Sequence, residues 1–324
     1  MPRFPSRPRT TAREPRRVHP AALPALLLAL LLSVTACGSG DSGGDSAAET
    51  SGSASFPVTV TGSNGEITLE EQPRSIVSLS PSATEMLFAI GAGDQVEAVD
   101  DYSNFPEDAP VTDLSGFTPN AEAIAGYEPD LVVLSNDQNG IVDALDALSV
   151  PTLLLEAAVS VDDTYAQIET LGEATGHPEE ADEVVSEVQE RIADAVASVP
   201  EDVQGMTVYH ELGPELYSAD SSTFVGSIYA MFGLENIADG PGEAAGGYPQ
   251  LSPEYVVGEA PDLIVLADTK CCEQSAATVA QRPAFGTIPA VAEGRVLEAD
   301  DDIASRWGPR IADFAEAVAE SLQG

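Results

Sequence analysis

One eight-residue segment occurs twice in this chain, and it limits the possible folds more than any other feature. Tyr127-Glu128-Pro129-Asp130-Leu131-Val132-Val133-Leu134 returns as Glu259-Ala260-Pro261-Asp262-Leu263-Ile264-Val265-Leu266. Each copy reads as a helix end, a proline turn and a strand. The apolar run is continuous rather than alternating, the pattern of a parallel strand covered on both faces. Pro119-Asn120-Ala121-Glu122 precedes the first copy and Leu251-Ser252-Pro253-Glu254 the second, each glutamate seven residues before its proline. Ser252 followed by Pro253 makes a helix start, with Ser as cap and Pro at the first helical position. The constant offset of 132 residues predicts two Rossmann-like α/β lobes of similar plan, each with a mainly parallel sheet.

Shorter strands complete the lobes: Ile76 to Ser80, Val96 to Val99 and Thr152 to Leu155 in the first, Thr207 to His210 and Arg295 to Leu297 in the second. They alternate with helical stretches such as Ser82 to Ile90. Between the lobes, Ala181, Val184, Val185, Val188, Ile192, Ala195, Val196 and Val199 recur at three- and four-residue steps. His177-Pro178 opens this amphipathic helix and Pro200 closes it. The expected organisation is a first lobe over 57–178, a bridging helix over 179–200 and a second lobe over 201–324. Ligands of parallel sheets lie beyond the carboxyl ends of the strands, here the cleft between the lobes.

The N-terminal segment 1–36 reads as a lipoprotein signal peptide. Six arginines, from Arg3 to Arg17, precede the apolar stretch Ala21 to Leu32, which is too short for a permanent membrane span. Val34-Thr35-Ala36-Cys37 then has the form of a lipobox, with Cys37 as the lipidated first residue of the mature protein. Residues 37–56 are rich in Gly and Ser with almost nothing to bury, a flexible tether. The expected location is extracytoplasmic, lipid-anchored to the cell membrane.

Charge is lopsided: 13 Lys and Arg stand against 54 Asp and Glu. Cleavage before Cys37 leaves 7 basic and 53 acidic groups, a net of −46. Such a surface repels nucleic acid and anionic lipid headgroups. The acidity by itself does not name a ligand, but it makes each remaining cation a question. Beyond Cys37, the adjacent Cys271 and Cys272 allow either a strained vicinal disulfide or a free dithiol, with metal ligation a third reading.

A search for catalytic patterns returns little. No phosphate-cradling loop and no G-x-S-x-G elbow is present, and the folded part holds only His177 and His210. His177 sits at a helix entrance and reads as structural. His210-Glu211 ends a strand, so either a cleft role or a satisfied structural histidine fits it.

Leu79-Ser80-Pro81-Ser82-Ala83-Thr84-Glu85-Met86-Leu87, Gly91-Ala92-Gly93-Asp94-Gln95-Val96 and Asp101-Tyr102-Ser103-Asn104-Phe105-Pro106 resemble the cobalamin- and iron-siderophore-binding proteins of ABC importers. Glu235-Asn236-Ile237-Ala238-Asp239, Tyr248-Pro249-Gln250-Leu251-Ser252-Pro253-Glu254 and Ser305-Arg306-Trp307-Gly308-Pro309-Arg310 extend the resemblance over Pro73 to Leu322. It implies two lobes bridged by one long helix, no catalysis and no cofactor. The cleft would capture a metal chelate, a corrinoid or ferric siderophore with haem as a further option, for delivery to an ABC permease and its ATPase. By similarity, Glu122 and Glu254 dock to permease arginines. Tyr102, Phe117 and Tyr248 supply aromatic cleft contacts, and Asp302 and Arg306 polar ones from a loop before the last helix. Trp307 either lines the cleft or packs beneath it, and Arg310 reads as a structural residue of the final helix. Some relatives carry tryptophans where this chain has Phe117 and Tyr248, and an aromatic where it has Ser135. The protein is expected to be a monomer. An extracytoplasmic enzyme on the same scaffold stays as the alternative.

Overall fold

The computed structural model describes residues 55–241 and 245–323. The expected signal peptide, Cys37 and the expected tether through residue 54 lie outside them. The described chain opens with an antiparallel hairpin, β1 (Val58–Gly62) and β2 (Gly65–Leu69). The first lobe follows as β3 (Ile76–Leu79), α1 (Pro81–Ala89), β4 (Val96–Val99), α2 (Ala121–Ala125), β5 (Leu131–Leu134), α3 (Ile141–Asp146) and β6 (Thr152–Leu154). Two long helices come next, α4 (Val161–Thr175) and α5 (Pro178–Ser198). The second lobe contains β7 (Thr207–Glu211), α6 (Phe224–Met231), β8 (Glu235–Asn236), α7 (Pro253–Glu259), β9 (Leu263–Leu266), α8 (Thr269–Cys272), α9 (Ala276–Ala280), α10 (Pro289–Glu293) and β10 (Val296–Glu298). The chain ends in α11 (Asp301–Ser305) and α12 (Ile311–Gln323).

Both sheets are parallel and have the same strand order. The first runs β4-β3-β5-β6 and the second β8-β7-β9-β10. In each, the second, first, third and fourth strands of the lobe stand side by side. Every residue of β3, β5 and β9 is buried, which explains their unbroken apolar runs. Alternate residues serve opposite layers: Leu131 and Val133 join one cluster, Val132 and Leu134 another. Leu263 and Val265 divide from Ile264 and Leu266 in the same way.

The repeat offset has a physical basis at the Pro-Asp step. Asp130 accepts from the backbone N–H of Ser75 at 3.1 Å and donates its own N–H to the Ser75 carbonyl at 2.8 Å. Asp262 does the same with Thr207, at 2.9 Å in both directions. Each aspartate therefore fastens the start of its lobe's third strand to the start of the first. The residue before each proline takes a left-handed backbone, φ 51° at Glu128 and at Ala260. The helices upstream also correspond, with Asn120 capping through Ala123 N–H and Ser252 through Tyr255 N–H.

Helix α5 joins the lobes through its packing. Ala181 and Val185 belong to the core of the first lobe, and Val188, Ile192 and Ala195 to that of the second. Each buried Val or Ile contributes about 1.5–3 kcal/mol. Helix α4 lies along α5 and likewise reaches both cores, with Val161 in one and Ile168 and Leu171 in the other. A Cβ on Gly172 would come 2.4 Å from that of Ala181, so glycine sets how closely the two helices approach. Arg191 then ties α5 to α12 through Asp313 at 2.5 Å and Glu316 at 2.8 Å.

The sequence reading missed the β1–β2 hairpin, although its alternation and Asn64-Gly65 were available as signals. Helix α12 begins at Ile311, so Arg310 precedes the last helix rather than lying inside it. The Lys270-Cys271-Cys272 loop is a short helix with both thiols free.

Candidate functional site

A cavity of about 430 Å³ lies where the carboxyl ends of the first sheet meet the chain before α12. Leu79 ends β3, Asp100 follows β4, Ser135 and Asn136 follow β5, and Ala157 comes after β6. Asp302, Arg306 and Trp307 close it from the second lobe. Depressions of about 440 Å³ and 600 Å³ occur elsewhere. Only the first gathers all four strand ends of one sheet together with residues of both lobes, the arrangement expected of a ligand cleft.

Tyr102 and Phe117 form its aromatic wall. Their rings meet edge to face, 5.3 Å between centroids at 81°, while 55% and 63% of each residue stays exposed. Exposed rings held by each other are a pre-arranged apolar contact surface. Beneath them Asp100 is buried and accepts from the Ser103 hydroxyl at 2.5 Å. Burial pushes its carboxyl above the usual range, the Ser103 bond draws it back, and the Asp101 charge adds to the rise. A Cβ on Gly116 would stand 2.8 Å from an Asp100 carboxylate oxygen, which fits glycine at this position of the lining.

The polar wall comes from α11. Arg306 caps that helix and is buried, with its guanidinium engaged by the protein. It donates to Glu85 Oε1 at 2.9 Å, to the Tyr102 carbonyl at 2.9 Å and to Asp302 Oδ1 at 2.8 Å. Arg310 holds the same Glu85 at 2.9 and 2.6 Å and stacks over Phe105, 4.0 Å from the ring centroid. Asp302 also receives Lys270 Nζ at 3.1 Å and Asn104 Nδ2 at 3.2 Å. Burial works to raise the Asp302 carboxyl, but Lys270, Arg306 and Asn104 together hold it below the usual range. Trp307 lines the cavity and is tied to the first lobe through Ser82 and Gln167 at 3.2 and 3.1 Å.

Four of the five residues expected to contact ligand, Tyr102, Phe117, Asp302 and Arg306, are thus brought together. Tyr248 is half exposed and does not line this cavity. Arg306 differs from the expectation in that its donors serve Glu85, Tyr102 and Asp302, so it orders the wall. Glu85 was missed, and the two arginines of Ser305-Arg306-Trp307-Gly308-Pro309-Arg310 in so acidic a chain were the available signal. The possible cleft role of His210 is corrected. It is fully buried, and its Nδ1 lies 2.6 Å from the Tyr229 hydroxyl. Burial lowers its pKa to about 4, so it is neutral at ordinary pH.

Glu122 and Glu254 are exposed in the first turns of α2 and α7, at equivalent positions of the two lobes. Glu254 also borders the 600 Å³ depression, with Pro253, Val257 and Phe285. Among the described residues no group of three or more His, Cys, Asp or Glu is placed to hold a metal ion. No described helix is long and apolar enough to cross a membrane.

Two parallel-sheet lobes, joined by packed helices, with a cleft where the first sheet's strand ends meet the second lobe's α11 segment, define a solute receptor. The chain belongs to the periplasmic binding protein family, whose model matches residues 76–303. It is 30% identical over 278 residues to an uncharacterized ABC transporter substrate-binding lipoprotein of Bacillus subtilis, covering 82% of this chain and 86% of that one. It is 31% identical over 279 residues to a cobalamin-binding protein of Halobacterium salinarum, covering 83% of this chain and 75% of that one. The periplasmic vitamin B12 binding protein of Vibrio cholerae shares the fold, with a TM-score of 0.66 at 23% identity over 77% of this chain and 96% of that one.

Proposed function

We propose that this protein captures a metal chelate, a corrinoid or ferric siderophore, in the cleft between its lobes and delivers it to an ABC permease driven by its ATPase. The observation that carries this reading is the exposed Tyr102–Phe117 pair facing the Asp302–Trp307 segment across one cavity. Aromatic faces give contact area at small entropic cost, and Asp302, Ser135 and Asn136 offer polar edges to a flat ligand rimmed with amides. The similarity to a cobalamin-binding protein of Halobacterium salinarum supports a corrinoid. The reading assigns no catalytic step, because His210 is buried and bonded within the core.

In the same reading Glu122 and Glu254 are the two permease contacts, one per lobe, and Cys37 carries the lipid anchor of an extracytoplasmic monomer. Two separated charge contacts suit a weak, steered and repeatable encounter. The test is the melting temperature of the full chain against cyanocobalamin, ferrichrome, ferrioxamine B and ferric enterobactin. A ligand at a hundred times its Kd adds roughly 2.7 kcal/mol of stability. One responding chelate supports the reading, and no response from any contradicts it.

A further inference from the structure

The described residues hold seven Lys and Arg, and six of them are paired inside the chain. Arg191, Arg282 and Arg295 are held by Asp313, Glu211 and Glu293, away from the cavity lining. The other three cluster at or behind the cleft wall, each engaged by the protein's own carboxylates. Arg306 and Arg310 share the buried Glu85, Arg306 also holds Asp302, and Lys270 lies between Asp300 and Asp302 at 2.7 and 3.1 Å. Asp301 adds a fourth carboxylate beside Lys270, accepting that residue's backbone N–H at 3.0 Å. Arg74, the seventh cation, precedes β3 and so stands at the opposite end of the sheet from the cavity. Three cations therefore stand against four carboxylates at and behind the wall, and in the lining itself Arg306 is set against two, Asp302 and Asp100, with the exposed Asp101 beside them.

We infer that the cleft selects its cargo by charge, accepting neutral or cationic chelates and rejecting anionic ones. This inference rests on the reading of the cleft as a chelate site. A low-dielectric cleft with an excess of one sign focuses that field on whatever enters it. No cation in the wall is free to meet a carboxylate, catecholate or propionate, because each already donates to the protein's own acids. Freeing Arg306 would take donors from the buried Glu85 and from Asp302 in a water-poor wall, at a cost. Uncharged amides and hydroxamates meet no such barrier, and a cation is attracted.

The test compares ligands of one shape and different charge, by isothermal titration of the full chain. Cyanocobalamin is set against its monocarboxylic acid derivatives, and cationic ferrioxamine B against its anionic N-succinyl derivative. Within whichever class binds, the neutral or cationic member is expected to bind at least about tenfold more tightly at roughly 20 mM salt. That gap should narrow at about 0.5 M salt, where screening shortens the reach of the field. Asp302→Asn, which removes one carboxylate of the excess, should narrow it severalfold at low salt. An anionic member that binds as tightly as its neutral counterpart at low salt overturns the inference and leaves the chelate-binding reading intact. Failure of every ligand, whatever its charge, overturns the chelate-binding reading and this inference with it.

Discussion

Glu85 and Arg306, 221 residues apart in the chain, meet at 2.9 Å with side chains only 1% and 9% exposed. One belongs to α1 of the first lobe and the other to the segment that returns from the second. Arg310 closes on the same carboxylate, so two guanidinium groups share one buried anion. The lobes are therefore joined by the packed helices α4 and α5 and again by a buried ionic knot at the cleft. Large opening would expose three charged groups that now satisfy one another, so cargo entry should involve modest lobe motion.

Removing the anion should be costly. Glu85→Ala leaves Arg306 and Arg310 without their shared partner, and breaking a buried pair costs about 3–5 kcal/mol. For a protein of this size that lowers Tm by roughly ten degrees. Calorimetry of the ligand-free protein checks this, and an unchanged Tm would refute the assigned role of Glu85.

Asp268, just after β9, gives a pH dependence. It is fully buried, neither of its oxygens has a hydrogen-bond partner, and it lies beside Glu211, itself held by Arg282. Arg282 and Tyr209 donate to Glu211, but Asp268 has no donor unless one of the two facing carboxylates carries a proton. Burial and then the Glu211 charge raise the Asp268 pKa from 3.8 to about 7. Between those values the native state keeps a proton that the unfolded chain releases, so this group's contribution makes stability fall as pH rises. Asp268→Asn should match the parent near pH 4 and melt higher above pH 7, by roughly 2–4 °C for each kcal/mol relieved. His210 acts oppositely, its contribution being lost as pH falls from 6.5 toward 4, but it is common to both proteins and cancels. Equal Tm values at every pH would contradict the account of Asp268.

Docking and binding should separate. Glu122→Lys with Glu254→Lys reverses both exposed charges without touching the cavity lining. Cargo affinity should stay within about twofold, and uptake by cells carrying the cognate permease should fall by at least about tenfold. Uptake at the parental rate would remove these residues from the permease interface.

The fold was legible because its burial pattern is. A strand covered on both faces has no polar alternation, so Leu131 to Leu134 and Leu263 to Leu266 stood out as matching runs. Helix α5 was legible because one face must bury Ala181 through Ala195 across two cores. The site was only partly legible. Glu85 looks like one more acid in an acidic chain until the fold sets it against two arginines distant in sequence. Arg306 reads as a ligand contact for the same reason, since its partners come from elsewhere in the chain. Tyr248 belongs to a matching motif, but sequence does not say which cavity a half-exposed ring borders.

The most direct measurement is the Kd of the best-binding chelate for the full chain and for Tyr102→Ala with Phe117→Ala. Both rings are substantially exposed, so the double variant should keep its Tm without ligand. The account predicts saturable binding of one chelate per chain, weakened at least about tenfold in the variant, a loss of roughly 1.4 kcal/mol or more. An unchanged Kd in the variant would place the cargo somewhere other than this cleft and contradict the account.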